Sequence, residues 1–254
     1  MALQESILEM HDVTVRFADK IVLNEINLRL GSGELVTIVG SSGSGKTTLL
    51  RAVNRLNEES PRCVTQGLVR VRWRNTWQDC YAKNISLTDL RLRVGTVFQH
   101  PNVLPFSIYK NLMLPLRVSL GLDKEESEHR IQRALKDVWL WDEVENRLGD
   151  NALTLSGGQQ QRLCLARVLA LEPSILLLDE PTASLDFKAT QKIEALFRTL
   201  KDRYAILAVT HSLSQMYRLA DRALVLRDGT MVAELSRADL DNKEQSNRLL
   251  ENFF

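Results

Sequence analysis

The first third of the chain has the hydrophobic pattern of short strands. Apolar runs bounded by turn residues occupy residues 7–16, 21–30, 35–39, 68–73 and 94–98. Runs of this length between turn residues are typical of strands, and a tight turn separates the first two. We therefore predict an antiparallel sheet that leads into an α/β core.

The middle of the chain changes to helical spacing. Asp123 is a candidate N-cap with Glu126 three residues later, and Ile131 and Leu135 follow one turn apart. This combination indicates the start of an amphipathic helix. We predict a helical insert over roughly residues 101–151.

Beyond residue 156, helical patterns alternate with buried strands. The helices are expected at residues 160–171, 190–200 and 213–220, the strands at 175–178 and 205–209, a hairpin at 223–235 and a helical tail at 237–252. Such alternation predicts parallel strands joined by right-handed crossovers. The chain is thus expected to form one domain, with a core of residues 1–100 and 152–254 and an insert lobe at 101–151.

The segment after the third predicted strand fits a phosphate-binding loop. Its residues, with the next one along the chain, are Gly40, Ser41, Ser42, Gly43, Ser44, Gly45, Lys46, Thr47 and Thr48. The preceding strand and the following helix supply the context that this motif requires. Glycines let backbone N–H groups and a helix N-terminus point at phosphate oxygens. Lys46 can reach the β- and γ-phosphates and Thr47 can ligate Mg²⁺, so we predict binding of a nucleoside triphosphate.

Two further segments carry chemistry-bearing residues. Residues 175–178 are apolar and are followed by Asp179 and Glu180. At the carboxyl end of a parallel strand, Asp179 can hold Mg²⁺ directly or through water, and Glu180 can take a proton from an attacking water. In the LSGGQ segment, residues 155–159, Ser156 and two glycines at a helix start form an anion site. That site cannot serve the same nucleotide as Lys46 if it lies on a separate lobe.

Composition excludes several classes of protein. A net charge of +1 over 254 residues argues against a strongly electrostatic nucleic-acid binder. Cys63, Cys80 and Cys164 are widely spaced, which predicts neither disulfides nor a zinc site and favours a reducing cytoplasm. Residues 1–10 lack the apolar core of a signal peptide, and no run reaches the ~20 apolar residues of a membrane span. We expect a soluble protein whose membrane role, if any, comes through a partner.

With the phosphate loop, the LSGGQ segment and the LLLDE run in this order, the chain resembles the ATP-binding cassette (ABC) ATPases over essentially its whole length. The resemblance implies a P-loop NTPase core with an antiparallel β subdomain and a helical lobe. It also implies ATP hydrolysis by two subunits, with Ser156 and Gly158 of one completing the site around Lys46 of the other. Gly157 and Gln159 belong to the same half-site.

The resemblance assigns roles to further residues. They are Gln99 as the Q-loop glutamine that contacts Mg²⁺, Asp186 in the D-loop, His211 as the switch histidine at the γ-phosphate, and Phe17 in place of the tyrosine that stacks on adenine. One departure concerns the D-loop, which reads Ala183-Ser184 where the commonest family form is Ser-Ala.

Within the family, the chain is most similar to the ATPase subunits of bacterial phosphate importers, through residues 98–102, 105–111, 140–144 and 159–167. This implies a peripheral protein at the cytoplasmic face of the inner membrane. Its partners would be permease subunits, a second ATPase subunit (a homodimer) and an extracytoplasmic solute-binding protein, without nucleic acid. Val103-Leu104 and the Arg70–Cys80 segment, which contains Trp73 and Trp77, depart from the pattern.

Several alternatives remain at this point. The chain could serve an exporter, a lipoprotein-release complex, or import of an amino acid or another oxyanion. A soluble ABC protein of DNA repair or translation is disfavoured, because the chain has one cassette and no long coiled-coil insertion. A catalytically dead regulatory subunit is disfavoured because every matched catalytic position holds a competent residue.

Overall fold

The computed structural model describes residues 5–251. Residues 1–10, which we predict not to form a signal peptide, and the predicted helical tail at 237–252 lie partly outside the described residues. The strands are β1 (Ser6–Phe17), β2 (Lys20–Gly31), β3 (Leu35–Val39), β4 (Cys63–Trp73), β5 (Thr76–Asp79), β6 (Val94–Val97), β7 (Ile175–Asp179), β8 (Ala205–Val209), β9 (Arg222–Arg227) and β10 (Thr230–Ser236). The α-helices are α1 (Lys46–Val53), α2 (Leu87–Arg93), α3 (Ile108–Leu120), α4 (Lys124–Asp137), α5 (Trp141–Val144), α6 (Gly157–Leu169), α7 (Phe187–Leu200), α8 (Leu213–Leu219), α9 (Arg237–Asp241) and α10 (Lys243–Glu251).

The strands of the described chain form two sheets. The antiparallel sheet has the order β2-β1-β4-β5, and the second sheet has the order β10-β9-β3-β8-β7-β6. Strands β9, β3, β8, β7 and β6 run parallel, and β10 pairs antiparallel at the edge. Because the strands β3, β7 and β8 are buried along their whole length, their sequences are almost continuously apolar, with only Thr37 in β3 and Asp179 at the end of β7 as polar residues. The predicted fold class, a P-loop core with an antiparallel β subdomain, is confirmed.

Helix α1 lies between the two sheets and is fixed by both. Its Leu49 and Leu50 are fully buried in a core that also contains Leu8 and Leu23 of the antiparallel sheet and Ile38 of the parallel one. Each buried leucine contributes about 1.5–3 kcal/mol relative to an exposed one. The N-terminus of α1 is thereby held at the carboxyl end of β3.

Helices α3, α4 and α6 share a second core. Ile108, Leu116, Ile131, Leu135 and Leu163 are all buried in it. The predicted N-cap Asp123 accepts a hydrogen bond from the backbone N–H of Glu126 at 2.9 Å. Among residues 5–251, no helix has the length and apolar character that crossing a bilayer requires.

Some boundaries differ from the sequence prediction. Helix α2 and strand β5 were not predicted, because α2 has seven residues with only Leu90 buried and β5 has four with none fully buried. Strand β4 begins at Cys63 rather than at residue 68. Its first four residues pair with β1 but are half-buried or exposed, and Thr65, Gln66 and Gly67 break the apolar pattern there. Helices α6 and α7 each begin three residues earlier than predicted, at the residues following their caps Ser156 and Asp186.

Candidate functional site

The phosphate loop curls around the amino group of its own lysine. Lys46 is buried, and its Nζ donates to the carbonyl oxygens of Gly40 and Ser41, each at 2.8 Å. Burial lowers the pKa of Lys46, while the nearby carboxylates of Glu180 and Asp179 oppose that shift. The loop thus holds its cation in a desolvated position with two backbone hydrogen bonds.

Gly45 caps α1 and must be a glycine. Its φ is +105°, a conformation that L side chains rarely adopt, and an added Cβ would lie 2.8 Å from the Leu23 Cδ2. This close approach lets the first N–H groups of α1 face the loop, where the positive end of the helix favours an anion. The loop and helix together form an anion-binding concavity.

Thr47 and Asp179 come together from opposite parts of the sequence. The Thr47 hydroxyl donates to Asp179 Oδ1 at 2.9 Å. Burial raises the pKa of Asp179, and the hydrogen bond from Thr47 and the charge of Arg51 oppose that effect. A hydroxyl and a carboxylate are hard oxygen donors that suit Mg²⁺ when phosphate and water complete the shell. Within the described part of the chain, no group of three or more His, Cys, Asp or Glu forms a dedicated metal cage.

Glu180 and His211 form a pair at the mouth of the loop. His211 Nδ1 lies 2.9 Å from Glu180 Oε2. Glu180 has a φ of +46°, an uncommon backbone conformation for a residue other than glycine, and its N–H donates to the Val209 carbonyl at 3.1 Å. Such strain at a candidate base persists only where surrounding contacts hold it.

These residues surround the phosphate-loop cavity, which has a volume of about 430 Å³. Its walls are Val22, Ser42, Gly43, Gly45, Lys46, Thr47, Thr48, Glu180 and His211. A volume of this size suits a small-molecule ligand. Val22 was not singled out from the sequence; its position in β2, directly after the turn that follows Phe17, was the available signal.

Several residues predicted to bind the nucleotide or Mg²⁺ are not on this cavity wall, among them Gly40, Ser41 and Asp179. Within residues 5–251 the cavity wall includes neither Phe17, which packs half-buried against the core of the antiparallel sheet, nor Gln99. Gln99 is half-buried just beyond the carboxyl end of β6, the strand beside β7. Ser44 is buried, and its hydroxyl has no hydrogen-bond partner among the described residues.

The LSGGQ segment opens a second cavity, of about 270 Å³, which we call the LSGGQ cavity. Its walls are Ser156, Gly157, Gly158, Gln159, Arg162, Ser184, Leu185, Asp186, Ala189 and Lys192. Ser156 caps α6: its Oγ accepts from the Gln159 N–H at 3.4 Å, and the Gln159 side chain accepts from the Ser156 N–H at 2.9 Å. A Cβ on Gly158 would lie 2.9 Å from the Ala189 Cβ, so this glycine permits the contact between α6 and α7.

Glu143 of α5 braces the LSGGQ helix against the core. Its carboxylate accepts two bonds from Arg162 at 3.0 and 2.9 Å, one from Gln159 at 2.9 Å and one from Lys192 at 2.7 Å. Burial alone would raise the pKa of Glu143, but these hydrogen bonds outweigh it and lower the pKa to about 2. The brace joins the helical insert, α6 and α7.

The D-loop residues are also tied down. Asp186 caps α7 and accepts from the Ala189 N–H at 2.9 Å. Ser184 Oγ lies 3.2 Å from His100 Nδ1, the residue after Gln99. The reordered Ala183-Ser184 pair therefore places its hydroxyl against the segment that follows β6.

The family model described as ABC transporter matches residues 23–183, which include both the phosphate loop and the LSGGQ segment. The chain belongs to the ABC transporter family. As an ABC transporter ATPase it binds and hydrolyses ATP, in agreement with the prediction from its motifs.

Among its ABC transporter relatives are phosphate import ATP-binding proteins. The protein PstB 2 of Streptococcus thermophilus is 40% identical over 93% of this chain and 92% of its own length. The protein PstB 1 of Streptococcus pyogenes is 42% identical over 90% of this chain and 88% of its own length. The predicted similarity to phosphate-importer ATPases is confirmed.

Solved ABC structures share the fold. CbiO1 of Clostridium perfringens, part of the ABC transporter complex cbiONQ, matches with a TM-score of 0.80 and 25% identity over 97% of this chain and 95% of that chain. The ATP-binding cassette MJ0796, in a dimeric post-hydrolysis state with ADP and Pi, matches with a TM-score of 0.74 and 31% identity, over 91% of this chain and 99% of that chain.

Proposed function

We propose that this chain is the ATP-hydrolysing subunit of a membrane transporter that imports inorganic phosphate. The observation that carries the proposal is the 40% identity, over nine-tenths of the chain, to relatives named as phosphate import ATP-binding proteins. The intact set of polar groups around the phosphate-loop cavity supports an active ATPase rather than a regulatory subunit.

The proposed chemistry follows from the residues of that cavity. Lys46 exchanges its two carbonyl partners for oxygens of the β- and γ-phosphates. Thr47 and Asp179, together with Gln99, would hold Mg²⁺, which supplies charge neutralisation at the phosphate oxygens. Glu180, held by His211, accepts the proton of the attacking water.

The cavity wall offers fewer candidate contacts for the adenine base of ATP than for its phosphates. We assign it to the side of Val22, with Phe17 stacking on adenine from the neighbouring strand. Phe17 offers an aromatic face without the hydroxyl of a tyrosine.

A second subunit completes the proposed site. The phosphate-loop and LSGGQ cavities share no wall residue within the described chain, which supports a nucleotide held between two copies rather than within one. We propose a homodimer in which Ser156, Gly157, Gly158 and Gln159 of one copy, with Asp186, face the nucleotide on the other. The ordered capping box and the Glu143 brace support a preformed donor surface.

The proposed permease contact lies on the insert lobe, residues 101–151, beyond Gln99. Leu104, Phe106, Leu114 and Val118 expose large apolar side chains there. Isolated exposed apolar residues are ordinary, but several on one segment are typical of an interaction surface. We place the protein at the cytoplasmic face of the inner membrane, bound to permease subunits, with a solute-binding protein on the other side.

The test is uptake of labelled phosphate by cells that lack this gene, under phosphate limitation. A restored wild-type copy should recover uptake, and a Glu180→Gln copy should not. Unchanged uptake on deletion, in cells without a second importer, would refute phosphate as the solute. Loss of uptake of an amino acid or of another oxyanion, or loss of export, would then identify the alternative cargo. The purified chain should still hydrolyse ATP in that case, so the ATPase assignment would stand.

A further inference from the structure

A polar cluster with Glu194 and Gln215 buried at its centre lies beside the Glu180–His211 pair. It consists of Thr182, Glu194, Gln215 and Arg218, which come from the loop after β7, from α7 and from α8. With Glu180 and His211, the four residues line a cavity of about 200 Å³. None of the roles assigned above uses this cluster.

Gln215 is the centre of the cluster. It is 5% exposed, and its Nε2 lies 2.9 Å from Thr182 Oγ1 and 3.3 Å from Glu194 Oε1. A carboxylate can only accept hydrogen bonds, so the atom of the amide that faces Glu194 must be the NH₂ group. The same NH₂ group then donates to Thr182, which fixes the orientation of the amide.

Glu194 is the rigid base of the cluster. It is 3% exposed, and Arg218 donates to both of its oxygens, at 2.8 and 2.7 Å. A buried carboxylate requires such pairing, because an unpaired one is strongly destabilising. The bidentate ion pair therefore leaves Glu194 little freedom. Because the Gln215 amide donates to Glu194, its position is restricted as well.

The cluster contacts both segments that present the catalytic pair. On one side, Thr182 is two residues beyond Glu180, whose backbone is in the left-handed region. On the other side, the Gln215 N–H donates to Ser212 Oγ at 3.3 Å, and the Ser212 N–H donates to Thr210 Oγ1 at 3.0 Å. His211 lies between these last two residues.

We propose that Gln215, supported by the Glu194–Arg218 ion pair, is a positioning residue that holds Glu180 toward His211 through the Thr182 hydroxyl. The cluster acts through Glu180 and touches no nucleotide. A side chain that must be placed to within about 0.5 Å depends on such supporting hydrogen bonds. The inference rests on the proposed role of Glu180 as the general base.

The first test removes the Thr182 hydroxyl. Thr182→Val keeps the shape of the side chain but cannot accept from Gln215, and we expect kcat to fall on the order of tenfold to a hundredfold. The KM for ATP and the ATP affinity measured by direct titration should stay within about twofold. Thr182→Ser retains the acceptor and should restore kcat to within about threefold of wild type.

A matched control comes from the same cavity. Thr190 also lines it, and within residues 5–251 its side chain has no hydrogen bond. Thr190→Val should leave kcat unchanged. Thermal unfolding of all three variants separates a loss of folded protein from a loss of turnover. Equal kcat values for Thr182→Val and wild type would overturn the inference.

The second test asks whether the hydroxyl acts through Glu180. In a Glu180→Gln background, Thr182→Val should cause no further loss of the slow residual hydrolysis. The release of labelled phosphate in a single turnover measures that residual rate. An additive loss would show that Thr182 acts independently, and would also overturn the inference. If Glu180→Gln alone retained wild-type turnover, the assignment of Glu180 as the base would fail first, which is a distinguishable result.

Discussion

The phosphate-loop cavity and the LSGGQ cavity differ in how their polar groups are satisfied. Around the phosphate loop, Lys46 and Asp179 are buried and bonded to other groups of the same chain. In the LSGGQ cavity, Ser156 and Asp186 are exposed and serve as helix caps. The first cavity holds groups that can change protonation or bind a cation, whereas the second holds mainly hydrogen-bond donors on a braced helix. This contrast supports the proposal that one half-site carries out the chemistry and the other recognises the nucleotide.

Removing the carboxylate of the first half-site should have the largest effect. Glu180→Gln keeps the side-chain shape but cannot accept a proton, so we expect turnover to fall about 10²- to 10⁴-fold while ATP binding persists. Phosphate release measured at saturating ATP tests this. Glu125→Gln on the exposed face of α4 is the matched control and should behave as wild type. Near-normal hydrolysis by Glu180→Gln would remove Glu180 from its role.

The next prediction separates ATP binding by a single chain from completion of the catalytic site by a second chain. Lys46→Ala should weaken ATP binding to a single chain by at least about tenfold, since a charge-assisted contact contributes roughly 1.5–3 kcal/mol. Ser156→Ala should leave that affinity unchanged and lower turnover instead. Calorimetric titration at low protein concentration, paired with turnover at high concentration, reads the two effects. A loss of single-chain affinity in Ser156→Ala would contradict the division between the half-sites.

The contribution of the Glu143 brace to folding stability should depend on pH. The folded-state pKa of Glu143 is about 2, below its ordinary value of 4.5. Its contribution to stability is therefore complete above about pH 4.5 and is lost as the pH falls toward 2. Because the Glu143 carboxylate is partly exposed, Glu143→Gln should lower the free energy of unfolding by only about 1 kcal/mol at pH 7. Denaturant unfolding at pH 7 and pH 3 measures this, and an equal deficit at both pH values would contradict it.

The smallest effect is expected at the D-loop hydroxyl. Ser184→Ala removes one exposed hydrogen bond to His100, a loss of about 0.5–1 kcal/mol at most. Turnover should stay within about threefold of wild type. A tenfold loss would show that the reordered Ala183-Ser184 pair has taken on a role in the reaction, and His100→Gln should then reproduce it.

Local sequence patterns predicted much of the fold and of the family. The continuous apolar runs of β3, β7 and β8 and the cap at Asp123 were readable because each depends on neighbours in sequence. The order of the motifs led to the ABC transporter family, which the comparisons confirm. The individual site residues remain predictions.

What the sequence could not predict depends on contacts between distant segments. Val22 reaches the phosphate-loop cavity only because β2 packs beside Gly45. Glu143 meets Lys192 across 49 positions, and Gln215 meets Thr182 across 33. No periodicity marks such pairs, since each residue alone reads as an ordinary polar side chain on a helix or loop.

The two hydrogen bonds from Lys46 to its own loop bear on ligand discrimination. A phosphate that replaces the carbonyls of Gly40 and Ser41 leaves the number of lysine hydrogen bonds unchanged. The gain comes from exchanging neutral acceptors for anionic ones, which form hydrogen bonds roughly twice as strong. Adenosine offers no such exchange. The loop therefore selects its ligand first by the charge of the phosphate chain, before any contact reads the base.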